Sequence, residues 1–265
     1  MTKKTRKGLG KKSALLLSTL SAANKTIFTL DEAVLVLKEK KSSVAKLLYD
    51  LTNKNWLFRL SRGNYLILPL EAGPNPTFTE HEFVIASHLI SPYYISYWSA
   101  LNYYGMTEQV SRTIFIATTK RKLEKELLDL KFKFITLHKT KFFGFKAIKQ
   151  NHHAINIADK EKAIIDCLDL PRYCGGIIEV VKAIDRCKDE LDLHKLIVYA
   201  RQMQNTAILH RLGYILELLG IKSNIVPSKH YVILDPVGKK KGAYNKKWKI
   251  IENIPHQDLL SWREH

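Results

Sequence analysis

Residues 29–69 constrain what this chain can fold into more than any other stretch. Thr29 stands where a helix N-cap belongs, and Glu32 follows three positions later. At that spacing the two residues satisfy each other's orphan backbone N–H groups. A helix is predicted over 31–38, with a polar turn over 39–42. Val44, Leu47, Leu48 and Leu51 then fall at i, i+3, i+4 and i+7, the apolar stripe of a second helix. The other face of that helix carries Ser42, Ser43, Lys46 and Asn53, short polar and cationic groups suited to phosphates and base edges. After Asn55, two apolar runs at 56–60 and 65–69 flank Ser61-Arg62-Gly63-Asn64, a hairpin signal. Helix, turn, helix and hairpin in this order make the pattern of a winged helix-turn-helix. Arg59, Arg62 and Asn64 then fall on the wing, where a DNA backbone would pass.

The same elements also occur in domains that never touch DNA, and the charge distribution separates the two readings. Residues 1–70 carry 14 Lys+Arg against 4 Asp+Glu, a net +10 out of +18 for the whole chain. More than half of the excess thus lies in about a quarter of the length. A pI near 9.7 favours a polyanionic partner, and with this segment the expected partner is double-stranded DNA.

At 265 residues the chain is long enough for two domains. The best boundary is Glu71-Ala72-Gly73-Pro74-Asn75-Pro76, directly after the hairpin. The expected organisation is a basic arm at 1–12, a winged helix-turn-helix at 13–70 and an α+β domain at 77–265. Six of the first twelve residues are Lys or Arg, and Ala14-Leu15-Leu16-Leu17 follows them. Ser18, Thr19 and Ser21 interrupt that run, so it reads as a first helix behind a disordered arm rather than as a secretion signal. No stretch approaches the roughly 18 apolar residues of a membrane span, and no membrane partner is expected. Cys167, Cys174 and Cys187 form no C-x-x-C pair and read as small buried hydrophobes in a reducing cytoplasm.

Beyond the boundary, Thr79 and Glu82 repeat the capping spacing and predict a helix to about residue 90. An extended run at 93–96 and a short helix at 98–104 follow. Runs rich in β-formers at 113–118, 132–137 and 142–148, with a fourth at 155–157, predict a small, largely antiparallel sheet. From Lys160 the pattern is helical through about residue 219, with helices expected near 160–170, 178–184, 193–200 and 207–219. The tail returns to extended structure at 231–234 and 248–251. The fold class expected is α+β, a winged helix-turn-helix followed by a mixed domain with C-terminal helices.

Catalytic groups are hard to find. His81-Glu82 begins a zinc-protease motif, but Ile85 stands where the second His is required. Adjacent His152 and His153 point to opposite faces of a strand and do not ligate together. Residues 8–13 echo the end of a phosphate loop, without its first glycine. Lys160, Glu161, Lys162, Asp166 and Asp169 read as a solvated helix face with i,i+4 pairs. The tyrosines and tryptophan at 93–104 read as core packing rather than as a base-stacking platform. Lys239, Lys240, Lys241, Lys246 and Lys247 make a second basic surface, for DNA or for an acidic partner, or form a simple soluble loop. No metal, no cofactor and no catalytic activity are expected. The alternative is a nucleic-acid-processing enzyme, such as a nuclease, targeted by the winged helix.

Tyr94-Ile95-Ser96-Tyr97-Trp98-Ser99-Ala100-Leu101 and Tyr104-Gly105-Met106-Thr107 open a series of further segments. After them come Ile157-Ala158-Asp159-Lys160-Glu161-Lys162-Ala163-Ile164-Ile165-Asp166 and Leu170-Pro171-Arg172-Tyr173-Cys174-Gly175-Gly176. Arg211-Leu212-Gly213-Tyr214-Ile215-Leu216-Glu217 and Leu234-Asp235-Pro236 complete it. In this order behind a winged helix, these segments resemble the AbiEi-type antitoxins of abortive-infection toxin–antitoxin operons. The resemblance covers about 29–251, and the basic arm departs from it. It implies a cytoplasmic repressor that binds an inverted repeat in its own promoter, a site open to an oligomer on DNA whose state the sequence does not fix. It also implies an antitoxin that counters a nucleotidyltransferase-like toxin in phage defence without forming a stable complex, the type IV arrangement.

Overall fold

The computed structural model describes residues 8–68, 80–127, 129–150 and 153–264. The chain is α+β. Its residues fall into two compact units, the first running to Ser91 with short returns at 127–129 and 150–153, the second holding the rest from Pro92 onward. The boundary expected at 71–76, the Thr79 cap, His152 and most of the basic arm lie outside the described residues.

The first unit opens with α1 (Lys11–Ala22), then β1 (Ile27–Thr29), α2 (Leu30–Leu37) and α3 (Lys41–Asn53), closed by a hairpin of β2 (Leu57–Ser61) and β3 (Asn64–Ile67). Thr29 caps α2 as its spacing requires. The Glu32 N–H donates to Thr29 Oγ1 at 3.2 Å, and the Thr29 N–H donates to Glu32 Oε2 at 2.7 Å. A cap of this kind stabilises a helix by about 1 kcal/mol. Burial alone would raise the Glu32 carboxyl, but hydrogen bonds from Lys25 and Thr29 outweigh it and hold the group below its usual value. Lys38 ends α2 in the left-handed conformation, φ 53°, and this turns the chain into α3.

The sequence pattern missed β1. It is three residues long, too short for any periodicity to show, yet it completes a sheet in the order β1-β3-β2. Its pairing with β3 is antiparallel, Ile27 opposite Leu66 and Thr29 opposite Asn64. Gly63 supplies the positive φ (80°) of the hairpin turn, and its carbonyl accepts from the Leu30 N–H at 2.8 Å. The core joins all these elements: Leu16, Leu17 and Leu20 from α1, Ala33 from α2, Val44, Leu48 and Leu51 from α3, with Phe28, Leu57 and Tyr65 from the sheet. A short helix α4 (Glu82–Ser87) also belongs to this unit, and its N-cap is His81, whose Nδ1 accepts from the Phe83 N–H at 3.2 Å.

The second unit is organised by one helix. A six-stranded sheet has the order β6-β7-β5-β4-β9-β8, from β4 (Tyr93–Ile95), β5 (Thr113–Thr118), β6 (Lys125–Leu127), β7 (Leu130–Thr136), β8 (Phe145–Gln150) and β9 (His153–Ala158). The sheet expected to be largely antiparallel is mixed, with two parallel pairings in its middle. β5 runs parallel to β7, and β4 runs parallel to β9, while β4 and β5 are antiparallel. The apolar content of a strand records burial and not direction. The direction comes from the connections: the chain leaves β5 at Thr118 and enters β7 beside Thr113, the end at which β5 started.

Against this sheet side lies α5 (Tyr97–Tyr103), then α6 (Lys160–Asp169), which packs on α5, α7 (Ile177–Cys187), α8 (Leu193–Gln202) and α9 (Thr206–Leu218). β10 (Val232–Ile233), β11 (Ala243–Asn245) and β12 (Ile250–Glu252) form a small sheet, and α10 (His256–Leu260) follows. The three cysteines are buried thiols, as expected.

His210 on α9 is fully buried. Its Nε2 accepts from the Ser228 N–H at 3.0 Å, which leaves the ring proton on Nδ1, 3.3 Å from the Lys249 carbonyl. Burial lowers its pKa, outweighing the backbone carbonyls of Lys249 and Trp248 that favour the charged ring. The unfolded chain then takes up the proton first. The stabilisation is fully present above the ordinary imidazole value of about 6.5 and is lost as the pH falls through the lowered folded value. Denaturant midpoints at pH 8 and pH 5.5 should therefore differ more for the wild type than for His210→Gln. An equal pH response in both would exclude His210 as the cause.

Candidate nucleic-acid interface

The apolar stripe of α3 fixes which residues the helix presents outward. Val44, Leu48 and Leu51 are buried, and Leu47 is partly so. At about 100° per residue, Ser42, Lys46, Tyr49 and Asn53 then fall within roughly 60° of one another on the opposite side. All four are exposed, and Ser43 is exposed beside them. Lys41 at the start of α3 is tied to Asp31 of α2 by an ion pair of 2.6 Å, which holds the turn between the two helices. Asp50 is exposed at the edge of the same face and is its one acidic group.

The hairpin carries the remaining candidates. Arg59 on β2 and Arg62 in the turn are exposed. Asn64 lies at the hairpin turn, as its sequence suggests, with one side-chain partner within the hairpin. Its Nδ2 donates to Ser61 Oγ at 2.8 Å, and its backbone pairs with both β1 and β2. It is a turn residue, half-buried, with its amide already engaged. The sequence reading also passed over Tyr49. It is 64% exposed, the only aromatic on the outward strip of α3, and a helical wheel would have found it.

In the second unit, the segments that carry the family resemblance converge on α6. Asp166 accepts from Ser96 Oγ at 2.7 Å and from the Tyr94 hydroxyl at 3.0 Å, and it pairs with Lys162 one turn earlier. Both charged side chains are fully buried, so the solvated face expected for Lys162 and Asp166 is corrected. The i,i+4 pairing was right and its surroundings were not. Lys162 Nζ also lies 3.4 Å from Met203 Sδ and 4.5 Å from the centre of the Phe143 ring. Burial pushes Asp166 upward against the opposing pull of Lys162, Ser96 and Tyr94. Burial, with Asp166 beside it, pushes Tyr94 well up, so its hydroxyl remains a donor.

Arg211 is buried as well, and donates to the Leu168 carbonyl at 2.8 Å and to the Ile233 carbonyl at 3.1 and 3.2 Å. A Cβ on Gly175 would lie 2.9 Å from Trp98, and one on Gly213 would lie 2.0 Å from Trp248. The aromatic cluster divides accordingly: Tyr93, Tyr94 and Tyr97 are core, while Tyr103 is 42% exposed. These motifs are therefore a packing and hydrogen-bonding scaffold built around one helix. Among the described residues, no group of three or more His, Cys, Asp and Glu is placed to hold a metal ion. No helix there is long and apolar enough to cross a membrane.

The lysine-rich loop before β12 is exposed at Lys239, Lys240, Lys241, Lys246 and Lys247. Lys247 is ion-paired with Glu217 on α9, and the Lys239 carbonyl accepts from Asn253 Nδ2 at 2.7 Å. The strand β11 inside this loop was not legible, because its three residues are embedded among lysines.

No family model matches the chain, and a search of curated proteins returns no match. Among solved structures the chain is similar to the RV2827C protein from Mycobacterium tuberculosis. The TM-score is 0.68 at 11% identity, over 99% of this chain and 98% of that one. At that identity the likeness speaks for the fold alone.

Proposed function

We propose that the first unit is a winged helix-turn-helix and that the chain is a DNA-binding repressor of its own operon. The observation that carries this reading is the outward face of α3. Ser42, Ser43, Lys46 and Asn53 are exposed there, opposite the core, with Arg59 and Arg62 exposed on the adjoining hairpin. The helix would enter the major groove and the hairpin would lie along the backbone. The net +10 of residues 1–70 supplies the attraction to phosphate. The second unit would be the antitoxin, countering a nucleotidyltransferase-like toxin without a stable complex. That half of the proposal is supported by the resemblance to AbiEi-type antitoxins.

The test is a mobility shift with the full chain on a duplex from upstream of its own gene and on a scrambled duplex, across a salt series. Each neutralised phosphate should add about 0.9 to the slope of log affinity against log salt. Lys46→Ala should weaken the upstream duplex more than the scrambled one, whereas Arg62→Ala should weaken both. Equal wild-type affinity for the two duplexes would remove the claim of a specific operator. Survival of cells expressing the neighbouring toxin, with and without this chain, checks the antitoxin half.

A further inference from the structure

We infer that Tyr49 is the residue that sets base preference at this interface, by packing its ring on the 5-methyl group of thymine in the major groove. The inference rests on the DNA-binding reading above and goes beyond it in naming what is read.

Three observations point to it. Tyr49 points away from the buried stripe, roughly 100–160° around α3 from Val44, Leu48 and Leu51, and is left largely in water. At 64% exposure it leaves most of a large apolar ring in water, in the middle of a polar strip made by Ser42, Lys46 and Asn53. It has no hydrogen bond, ion pair or ring contact with any described residue. An exposed tyrosine alone would suit many partners. Its setting narrows them, because the unit that carries it has a strong cationic excess and its flanking side chains suit phosphates and base edges.

The chemistry of the groove selects the contact. Thymine is the one base that presents a methyl group in the major groove, and apolar side chains read it there. The major groove of duplex RNA is deep and narrow and closed to side chains, so the partner is DNA. Along α3, Lys46 and Tyr49 are three residues apart, about 4.5 Å at 1.5 Å per residue. That separation lets Tyr49 and Lys46 address neighbouring base steps, the ring on a thymine methyl and the ammonium on a guanine edge or a phosphate. Asp50 lies beside the strip and disfavours a shift of Tyr49 toward the phosphates.

The experiment begins with selection of the full-length protein against a random-sequence 30-base-pair DNA duplex library. Thymines of the selected duplex are then replaced one at a time by deoxyuridine, which removes the methyl group and leaves pairing intact. Wild type should lose about fourfold in affinity at one or two positions, the loss expected for one methyl group left unburied. Tyr49→Phe should keep that sensitivity, since the ring and not the hydroxyl makes the contact. Tyr49→Ala should bind the thymine and uracil duplexes equally and select a degenerate base at those positions. The position is exposed, so neither variant threatens the fold. If a specific duplex is selected but wild type is indifferent to every uracil, or Tyr49→Ala selects the same sequence, the inference is overturned and the DNA-binding reading stands. If no duplex is selected at all, the DNA-binding reading itself fails.

Discussion

Replacing Lys162 with methionine is expected to destabilise the second unit by about 3–5 kcal/mol, the range found when one partner of a buried ion pair is removed. The cost comes less from the lost attraction than from what remains. Asp166 would be left with no exposure to water and no cation beside it, held by Ser96 and Tyr94 alone, and both an unpaired charge and the uptake of a proton there cost free energy. Removing both charges is a different matter. Lys162→Met with Asp166→Leu leaves Ser96 and Tyr94 short of an acceptor but no naked charge, and should recover most of the loss. Denaturant unfolding of the full-length protein, followed by tryptophan fluorescence, measures both. A single substitution that costs under 1 kcal/mol would show that water reaches the pair.

The second large effect is expected at Gly213. It lies in the middle of α9, where alanine would normally favour the helix by up to about 1 kcal/mol. Here the sign reverses, because the new methyl carbon would stand 2.0 Å from the Trp248 ring. Trp248 is itself buried, and its Nε1 donates to Glu217 Oε2 at 3.0 Å. The ring has to leave its place for the methyl group to fit. Gly213→Ala should therefore cost about 2–3 kcal/mol by overpacking. Pairing it with Trp248→Ala makes room for the methyl group, so the double variant should lie closer to Trp248→Ala than the two single losses predict. Simple additivity in that cycle would mean that the two residues do not meet.

These two sites also mark where sequence reasoning ends. The capping pair Thr29 and Glu32 was legible because both partners are local, and the stripe Val44–Leu48–Leu51 because helical periodicity is local too. Lys162 and Asp166 were just as visible as a pair, but their neighbours Tyr94 and Ser96 lie about seventy residues upstream. Nothing near α6 distinguishes a buried ion pair from a solvated one. Gly213 met the same limit, since the ring that forbids a side chain there, Trp248, arrives only just before β12. The strands show a related gap. The positions of β4, β5, β7, β8 and β9 followed from composition, but parallel against antiparallel depends on where the connecting chain returns. The bond from Asn64 to Ser61 was not legible for a smaller reason: a turn asparagine that bonds its own hairpin has the same sequence as one that does not.

The parallel pairing of Ile95 with Ile157 has a further consequence, for the order in which the second unit can form. β4 sits inside the sheet, yet one of its two neighbours is made some sixty residues later. Closing a loop of that length costs about 4 kcal/mol of chain entropy before any contact returns it. On a growing chain, β4 and β5 can pair early, but the other edge of β4 stays open until residue 158 has emerged. For that interval the open edge is Tyr93-Tyr94-Ile95, an apolar run able to template a wrong strand. The same stretch that later clasps Asp166 is thus the one most in need of protection during synthesis.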